Sequence, residues 1–382
     1  MRHQNSVLHD LLKRIPWSAF DRLVDEHDAD RRVRRLSTKS QLVALLYGQL
    51  SQALSLREIE TGLLSHQMRL YHLGAAPVHR STLADANLLR PAAVFSELLA
   101  LMMKQAHRGL RLALADTTYL IDSTSLRLDE RSANWARFST GVCGAKVHVI
   151  YDPDADQPIY AAVSTANVND ITPAQAMPIE PGATYVFDLG YYDYRWWAKL
   201  SEAGCRIVTR FKKSTPLYFL KELPVAKDGA ILSDRIGFLP PRQARNRRNP
   251  FQDAVREVRV KTDTGKVLRI FCNDLDATAQ EIADLYKRRW AIELFFRWIK
   301  QTLRIRHFLG ASENAIRIQV AVALIAFILL RLAQIAQKAV PSPLAFARLV
   351  RANLMHRRRI DRLIDDDPKP AANPNQLVLQ WV

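Results

Sequence analysis

Residues 286–308 read YKRRWAIELFFRWIKQTLRIRHF, and this segment predicts a single, largely buried helix. Apolar residues cover much of its circumference: Ile292, Phe295, Phe296, Ile299 and Leu303. Its polar residues form one stripe, within an arc of about 60° at 100° per residue: Tyr286, Arg289, Glu293 and Lys300, extended by Arg297 and Arg304. Charges on a buried helix are costly unless they face a functional site. The alternative is an ordinary ion-pair stripe, because Arg289 and Glu293 are i,i+4 partners and should touch when no ligand is bound.

The composition favours a polyanionic partner. The chain has 382 residues and a formal net charge of +17, which favours nucleic acid first and an acidic membrane surface second. Its length allows one large core or two to three domains. Three widely spaced cysteines predict neither a disulfide framework nor a zinc site, so we expect a cytoplasmic protein. The apolar run 320–330 is too short to span a bilayer and predicts a buried core helix.

A helical N-terminal domain is predicted for residues 1–110, because apolar residues recur there at spacings of three and four. Ser55, with Glu58 three residues later, predicts a capping box, and Ser81 predicts the N-cap of a later helix. Two such helices would suit a helix-turn-helix reader of DNA. Its candidate DNA-binding residues lie on the second helix: Arg80, Thr82 and Asn87. The alternative is a helical accessory domain that does not bind DNA.

From residue 111 to residue 340 the pattern predicts a mixed α/β domain with a central sheet. Strands are predicted at 119–124, 146–151, 158–163, 184–187 and 205–210. Residues 211–277 predict a β-rich insertion, with a hairpin at 254–273. Its basic run is either a solvated loop or an arm that follows phosphates: Arg242, Arg245, Arg247 and Arg248. Residues 341–382 predict a helical C-terminal tail.

Three carboxylates are candidates for catalysis and metal binding. Asp122 lies within an apolar strand, Asp188 ends another, and Glu293 lies on the buried helix. Carboxylates brought together repel one another, and a divalent cation relieves that repulsion. Oxygen ligands favour Mg²⁺ or Mn²⁺, and two such ions about 3.5–4 Å apart suit phosphodiester chemistry. Asp116 is a rival for Asp122 on the same strand face; we prefer Asp122 because its neighbours are more apolar.

The spacing Y-x2-R-x3-E-x6-K of Tyr286, Arg289, Glu293 and Lys300 resembles that of the DDE transposases of bacterial insertion sequences, specifically the insertion-sequence-four family. Further segments are similar to motifs of that family: 121–124 and 187–191 around the two aspartates, Lys146 with His148, 208–213, 55–59 and 81–87. The resemblance extends over roughly residues 5–335. One departure is Leu189, where we expect a basic or polar residue.

The resemblance implies a ribonuclease-H-like catalytic domain with a β-rich insertion, preceded by an all-α domain. It implies Mg²⁺- or Mn²⁺-dependent cleavage of DNA at terminal inverted repeats, followed by transfer of the 3′-OH into target DNA. Asp122, Asp188 and Glu293 would be the catalytic ligands of two metal ions. The resemblance places Tyr286, Arg289 and Lys300 on DNA phosphates near the cleaved end. Our further candidates for DNA binding are Arg297, Lys146, His148 and Lys212.

The same resemblance implies a homodimer that bridges two double-stranded DNA ends, associated with the bacterial nucleoid. Two alternatives stay open at this point. One is a relic of a transposase that binds DNA as a repressor without catalysis. The other is a ribonuclease-H-like nuclease that cuts DNA and does not transfer the strand.

Overall fold

The computed structural model describes residues 5–111, 117–226, 229–244, 247–303, 308–337 and 339–364. Asp116, Arg245 and Arg304 lie outside the described residues, and so do residues 365–382 of the predicted C-terminal tail.

The N-terminal region is helical, as predicted. Its helices are α1 Val7–Leu12, α2 Trp17–Glu26, α3 Thr38–Ser51, α4 Leu56–Leu64, α5 Gln67–Leu70, α6 Arg80–Leu89 and α7 Ala92–Arg111. The predicted N-cap is confirmed, because Ser55 Oγ accepts from the Glu58 N–H at 3.2 Å. The return hydrogen bond of the capping box differs from the prediction, since Glu58 Oε2 accepts from the N–H of Leu54 at 2.8 Å, one residue before the N-cap. The prediction that Ser81 caps a helix is wrong. Helix α6 begins two residues earlier than predicted, at Arg80 with His79 at the N-cap position, so Ser81 lies inside its first turn.

The described residues between 117 and 277 form a large sheet, a separate pair of short strands and three short α-helices. The strands are β1 Thr118–Leu128, β2 Arg137–Ser139, β3 Val142–Asp152, β4 Gln157–Thr165, β5 Thr184–Phe187, β6 Arg206–Arg210, β7 Tyr218–Leu223, β8 Ile231–Phe238, β9 Arg242–Ala244, β10 Arg247–Arg248, β11 Ala254–Lys261 and β12 Val267–Cys272, of which β9 and β10 form the separate pair. The short helices are α8 Ala133–Ala136, α9 Ile171–Ala174 and α10 Tyr194–Glu202. All five strands predicted between residues 119 and 210 are therefore confirmed.

Within the described residues, ten strands form one sheet in the order β2-β3-β1-β5-β6-β12-β11-β8-β7, with β4 paired to β3. Strand β1 is antiparallel to β3 and parallel to β5. The β-rich segment predicted at 211–277 continues this sheet, since β12 pairs antiparallel with β6. We call strands β7, β8, β11 and β12 the β extension. Its predicted hairpin is confirmed, and Gly265 takes the left-handed backbone (φ 78°) that the turn requires.

The C-terminal helices are α11 Ala279–Arg288, α12 Trp290–Thr302, α13 Glu313–Ile335 and α14 Pro343–Asn353. The prediction of one helix over 286–308 is wrong, because the chain turns at Arg289 between α11 and α12, and α12 ends at Thr302. At this turn the Arg289 N–H donates to Tyr286 O at 3.2 Å, three residues back. This tighter hydrogen bond is typical of a short 3₁₀ turn, which here separates the two α-helices.

Helix α13 is the centre of the core, as predicted for the apolar run 320–330. On length and composition alone it could cross a membrane, but most of its side chains are buried inside the protein. It packs against α7 and α3, and its apolar cluster continues to one face of the sheet. A second, aromatic cluster covers the other face around Phe187, Trp196 and Trp197. The apolar core is thus shared between the helical region and the sheet, and the domain boundaries stay a prediction.

Candidate active site

The sheet places Asp122 and Asp188 side by side. In the parallel pair of β1 and β5, Ile121 lies opposite Phe187, and each aspartate is the next residue of its strand or strand end. Neighbouring strands lie about 4.8 Å apart. Two aspartates that are distant in the sequence therefore meet at one edge of the parallel pairing.

The third carboxylate, Glu293 of helix α12, is linked to Asp122 by Arg289. The guanidinium of Arg289 donates from Nη2 to Glu293 Oε1 at 2.5 Å and lies, through Nη1, 3.4 Å from Asp122 Oδ2. The three side chains are partly screened from solvent, with exposed fractions of 16% for Arg289, 18% for Asp122 and 32% for Glu293. The expected contact between Arg289 and Glu293 is confirmed, and the same arginine also joins Asp122.

The electrostatics of this site reflect burial first and neighbouring negative charge second. Burial raises the pKa of the Asp122 carboxyl to about 7, and the charges of Asp188 and Glu293 act in the same direction. The Ser123 N–H and the Arg289 guanidinium partly oppose that shift by favouring the ionised form. One guanidinium is therefore the near counter-charge for Asp122 and Glu293 together.

The donor set fits a hard divalent cation in its chemistry. Carboxylate oxygens are the ligands that Mg²⁺ and Mn²⁺ prefer, and a cation would relieve the repulsion that acts on Asp122. Across the described parts of the chain, however, no three His, Cys, Asp or Glu side chains are gathered closely enough to hold a metal ion. Arg289 supplies positive charge between Asp122 and Glu293 in this arrangement.

The remaining residues of the predicted stripe lie on both sides of the turn at Arg289. Tyr286, on α11, is buried, and its ring centre lies 5.9 Å from the Arg289 guanidinium carbon. On α12, Arg297 is exposed, and Lys300 lines a groove of about 600 Å³ together with Arg127 of β1 and with Asp129 and Arg131, which follow that strand. The stripe thus borders both the carboxylates and an open groove with three basic side chains and one acidic side chain.

Lys146 and His148 lie on β3 and contact a carboxylate that the sequence analysis missed, Asp170. Lys146 Nζ donates to Asp170 Oδ1 at 3.0 Å, and His148 is fully buried with its Nε2 at 2.8 Å from Ser164 Oγ. Burial lowers the pKa of His148 to about 4. One sequence feature could have pointed to Asp170: it is an aspartate in the polar segment that follows β4, as Asp188 is an aspartate that follows β5.

The other predicted DNA-binding residues are spread over two regions. Arg80 and Thr82 are exposed on α6, whereas Asn87 is buried and its side-chain oxygen accepts from Gln41 at 2.8 Å. Lys212 is exposed after β6, with its Nζ 4.4 Å from the ring centre of Tyr192. Among the described residues, the contacts of Arg80, Thr82, Asn87 and Lys212 do not include the three carboxylates. Their role in DNA binding stays a prediction.

The chain matches two sequence families. The family described as "Transposase DDE domain" matches residues 113–329, a range that contains Asp122, Asp188 and Glu293. The family described as "Domain of unknown function (DUF4372)" matches residues 3–76.

Similar proteins are found among curated sequences and solved structures. The putative transposase y4zB of Sinorhizobium fredii is 38% identical over 309 residues, which cover 78% of this chain and 86% of that protein. The probable transposase for insertion sequence element IS5377 of Geobacillus stearothermophilus is 29% identical over 309 residues, covering 75% and 79%. A cryo-EM structure of the piggyBac transposase synaptic complex with hairpin DNA aligns with a TM-score of 0.45 at 11% identity, covering 95% of this chain and 80% of that one.

Proposed function

This chain belongs to the DDE transposase family, and we propose that it cuts DNA at the terminal inverted repeats of its element and transfers the freed 3′-OH into target DNA. It is a transposase of an insertion sequence, an enzyme that cuts and rejoins DNA. The observation that carries the proposal is that paired strands place Asp122 and Asp188 side by side, while Arg289 joins Asp122 to Glu293 of α12.

DDE transposases generally use divalent metal ions, and the proposed ligands in this chain are Asp122, Asp188 and Glu293. When bound, Mg²⁺ or Mn²⁺, as two ions, would supply Lewis acidity and lower the pKa of a bound water. The chain's own residues would orient the DNA. Arg289, once released from the carboxylates, and the exposed Arg297 are suited to bind phosphates beside the scissile bond.

The finer family and fold assignments belong to this proposal. The spacing of Tyr286, Arg289, Glu293 and Lys300 supports membership of the insertion-sequence-four family. A ribonuclease-H-like catalytic domain is supported by the central strands, in which β1, β3 and β4 form an antiparallel meander while β5 and β6 are added parallel on the other side of β1.

The partner in this proposal is double-stranded DNA, bound by a homodimer that brings two element ends together near the bacterial nucleoid. The net charge of +17 supports binding to a polyanion, and the exposed Arg80 and Thr82 of α6 are candidates for contacts in the helical region. A repressor or a simple nuclease would share these surfaces and would lack the complete cycle of cutting and joining.

Asp188→Asn tests the proposed metal site directly. We expect cleavage of a DNA carrying paired terminal repeats to fall by about 10³-fold or more, because metal-assisted charge stabilisation contributes several kcal/mol. End binding, measured by fluorescence anisotropy without metal, should stay nearly unchanged. Asp263→Asn is the matched control, because Asp263 is exposed in the hairpin turn of the β extension.

The products distinguish the alternatives. Wild-type protein with Mg²⁺, paired ends and a target plasmid should yield cut ends and joined products. Cleavage without joined products would favour a nuclease, and end binding without cleavage would favour a repressor. Robust cleavage by the Asp188→Asn variant would refute the assignment of Asp188 as a ligand.

A further inference from the structure

Asp170 contacts Ser123, the residue after Asp122, and approaches Gly190, which lies two residues after Asp188. Its Oδ1 accepts a hydrogen bond from Ser123 Oγ at 2.8 Å, and the Ser123 N–H donates to Asp122 Oδ1 at 2.7 Å. The second link runs through Gly190, whose N–H donates to Asp188 Oδ1 at 2.8 Å. Asp170 is therefore connected to Asp122 through one residue and adjoins the residue that holds Asp188.

The close approach of Asp170 to residue 190 depends on the absence of a side chain there. A Cβ at residue 190 would lie 3.0 Å from Asp188 Oδ1 and 3.2 Å from Asp170 Oδ2, closer than ordinary van der Waals contact. Two carboxylates thus approach the same small space beside this glycine. Since like charges at short range repel, this approach needs a cation or a hydrogen-bond donor on each carboxylate.

Lys146 supplies that cation on the side of Asp170. Its Nζ donates to Asp170 Oδ1 and to Val168 O, both at 3.0 Å, and so holds the loop that carries Asp170 against β3. His148, fully buried, lies close by with its Nδ1 3.8 Å from Asp170 Oδ1. Lys146 is itself mostly buried.

The register of β1 and β3 shows which face of the sheet this cluster occupies. Ser123 lies opposite His148, and Ser125 lies opposite Lys146, so these side chains share a face. Because successive residues of a strand point to opposite faces, Asp122 points to the other face, toward α12. Lys146 and His148 therefore face away from the side on which Arg289 meets the carboxylates.

We propose that Asp170 is a positioning residue that holds Asp122 and Asp188 side by side, and that Lys146 and His148 act on Asp170 and not on DNA. This inference rests on the proposed function of the carboxylate site. Residues that orient ligands from behind typically change metal affinity or activity by about 10–100-fold when they are removed. The loss of Asp170 should therefore weaken metal binding while the DNA-binding surface is preserved.

Calorimetric titration of the full chain with Mn²⁺ tests this role without requiring catalysis. Asp170→Ala should weaken Mn²⁺ binding by about 10–100-fold relative to wild type and to the control Asp263→Ala. Asp170→Asn should recover part of the affinity, because its Oδ1 can still accept from Ser123 and Lys146. Ser123→Ala removes one hydroxyl and is expected to fold, so a smaller loss of Mn²⁺ affinity in this variant tests the same link if Asp170→Ala does not fold.

The Lys146→Met variant tests whether Lys146 acts on Asp170 or binds DNA. We expect weaker Mn²⁺ binding together with an unchanged salt dependence of end binding in anisotropy measurements without metal. A decrease of about one in the slope of log K against log salt would show that Lys146 binds a DNA phosphate and would overturn this part of the proposal.

Two outcomes keep this inference apart from the proposed function. Equal Mn²⁺ affinities for wild type, Ser123→Ala and a folded Asp170→Ala would contradict the role of Asp170 alone. Wild-type protein that binds Mn²⁺ with the expected dependence on Asp170 and yet cuts no DNA would contradict the proposed function and support the positioning role.

Discussion

Arg256 in the β extension and Arg289 at the carboxylate site are both largely buried beside acidic side chains, but their hydrogen bonding differs. Arg256 donates from Nε and Nη2 to the two oxygens of Asp234 at 2.8 and 2.6 Å, and from Nη1 to Leu275 O at 3.1 Å. Arg289 divides its contacts between Glu293 and Asp122, and its Nε is buried without a hydrogen-bond partner in the described part of the chain.

The difference separates a structural ion pair from one that can rearrange. A bidentate, fully satisfied pair has one stable geometry, whereas a partly satisfied buried network remains costly. Arg289 also joins carboxylates on different elements, β1 and α12, and the contact to Asp122 is long at 3.4 Å. A divalent cation or a DNA phosphate could therefore replace its contacts at lower cost than any ligand could replace those of Arg256.

The largest expected effect is on folding stability, at Arg256. The Arg256→Met change leaves Asp234 buried without its partner, and the exposed fractions of 5% and 2% leave little room for water. We expect the free energy of unfolding in urea to fall by about 3–5 kcal/mol. The matched control is Arg235→Met on β8, whose ion pair with Glu222 is solvent-exposed and should contribute less than about 1 kcal/mol.

Arg289→Met should affect DNA binding more than folding stability. Its free energy of unfolding should change by no more than about 1 kcal/mol, because Asp122 and Glu293 are partly exposed and can bind water or protons. End binding with metal present should weaken by about 1–2 kcal/mol, and the slope of log K against log salt should fall by about one. A loss of stability as large as that of Arg256→Met would show instead that Arg289 is a structural residue.

Much of the carboxylate site could be predicted because its determinants are local. Strand propensity located the strands that carry or precede Asp122 and Asp188, and the i,i+4 spacing predicted the contact of Arg289 with Glu293. Asp122 follows an apolar run inside its strand and Asp188 follows the end of another, a pattern that the sequence shows directly. The parallel pairing of these two strands then brings the aspartates side by side.

The features that sequence reasoning missed depend on distant partners. The turn at Arg289 interrupts a segment whose composition is uniformly helical, so no local signal marks it. Asp170 lies in a polar loop without periodicity, and its importance arises only from contacts with Ser123, Lys146 and Gly190. The β extension joins the main sheet through β12 and β6, a pairing that residue spacing cannot specify.

The smallest expected effect is the loss of folding stability when His148 is protonated. It distinguishes the strands around the carboxylate site from the β extension, since residues 211–277 contain no histidine. Burial lowers the pKa of His148 from 6.5 to about 4; Lys146 acts in the same direction and Asp170 opposes it. Below pH 6.5 the unfolded chain therefore binds a proton that the folded chain excludes, so stability is complete above pH 6.5 and is lost as the pH falls toward 4.

By pH 5.5 this loss should reach about 1 kcal/mol, and hydrogen exchange with intrinsic rates corrected for pH can locate it. Amides of β1, β3 and β4, which surround His148, should lose more protection in wild type than in His148→Gln as the pH falls. Amides of β8 and β11 should lose protection equally in both proteins unless the whole chain unfolds as one unit. If β1, β3 and β4 show the same pH dependence in both proteins, protonation of His148 does not destabilise the fold. The strands around the carboxylate site would then be no more sensitive to acid than the β extension.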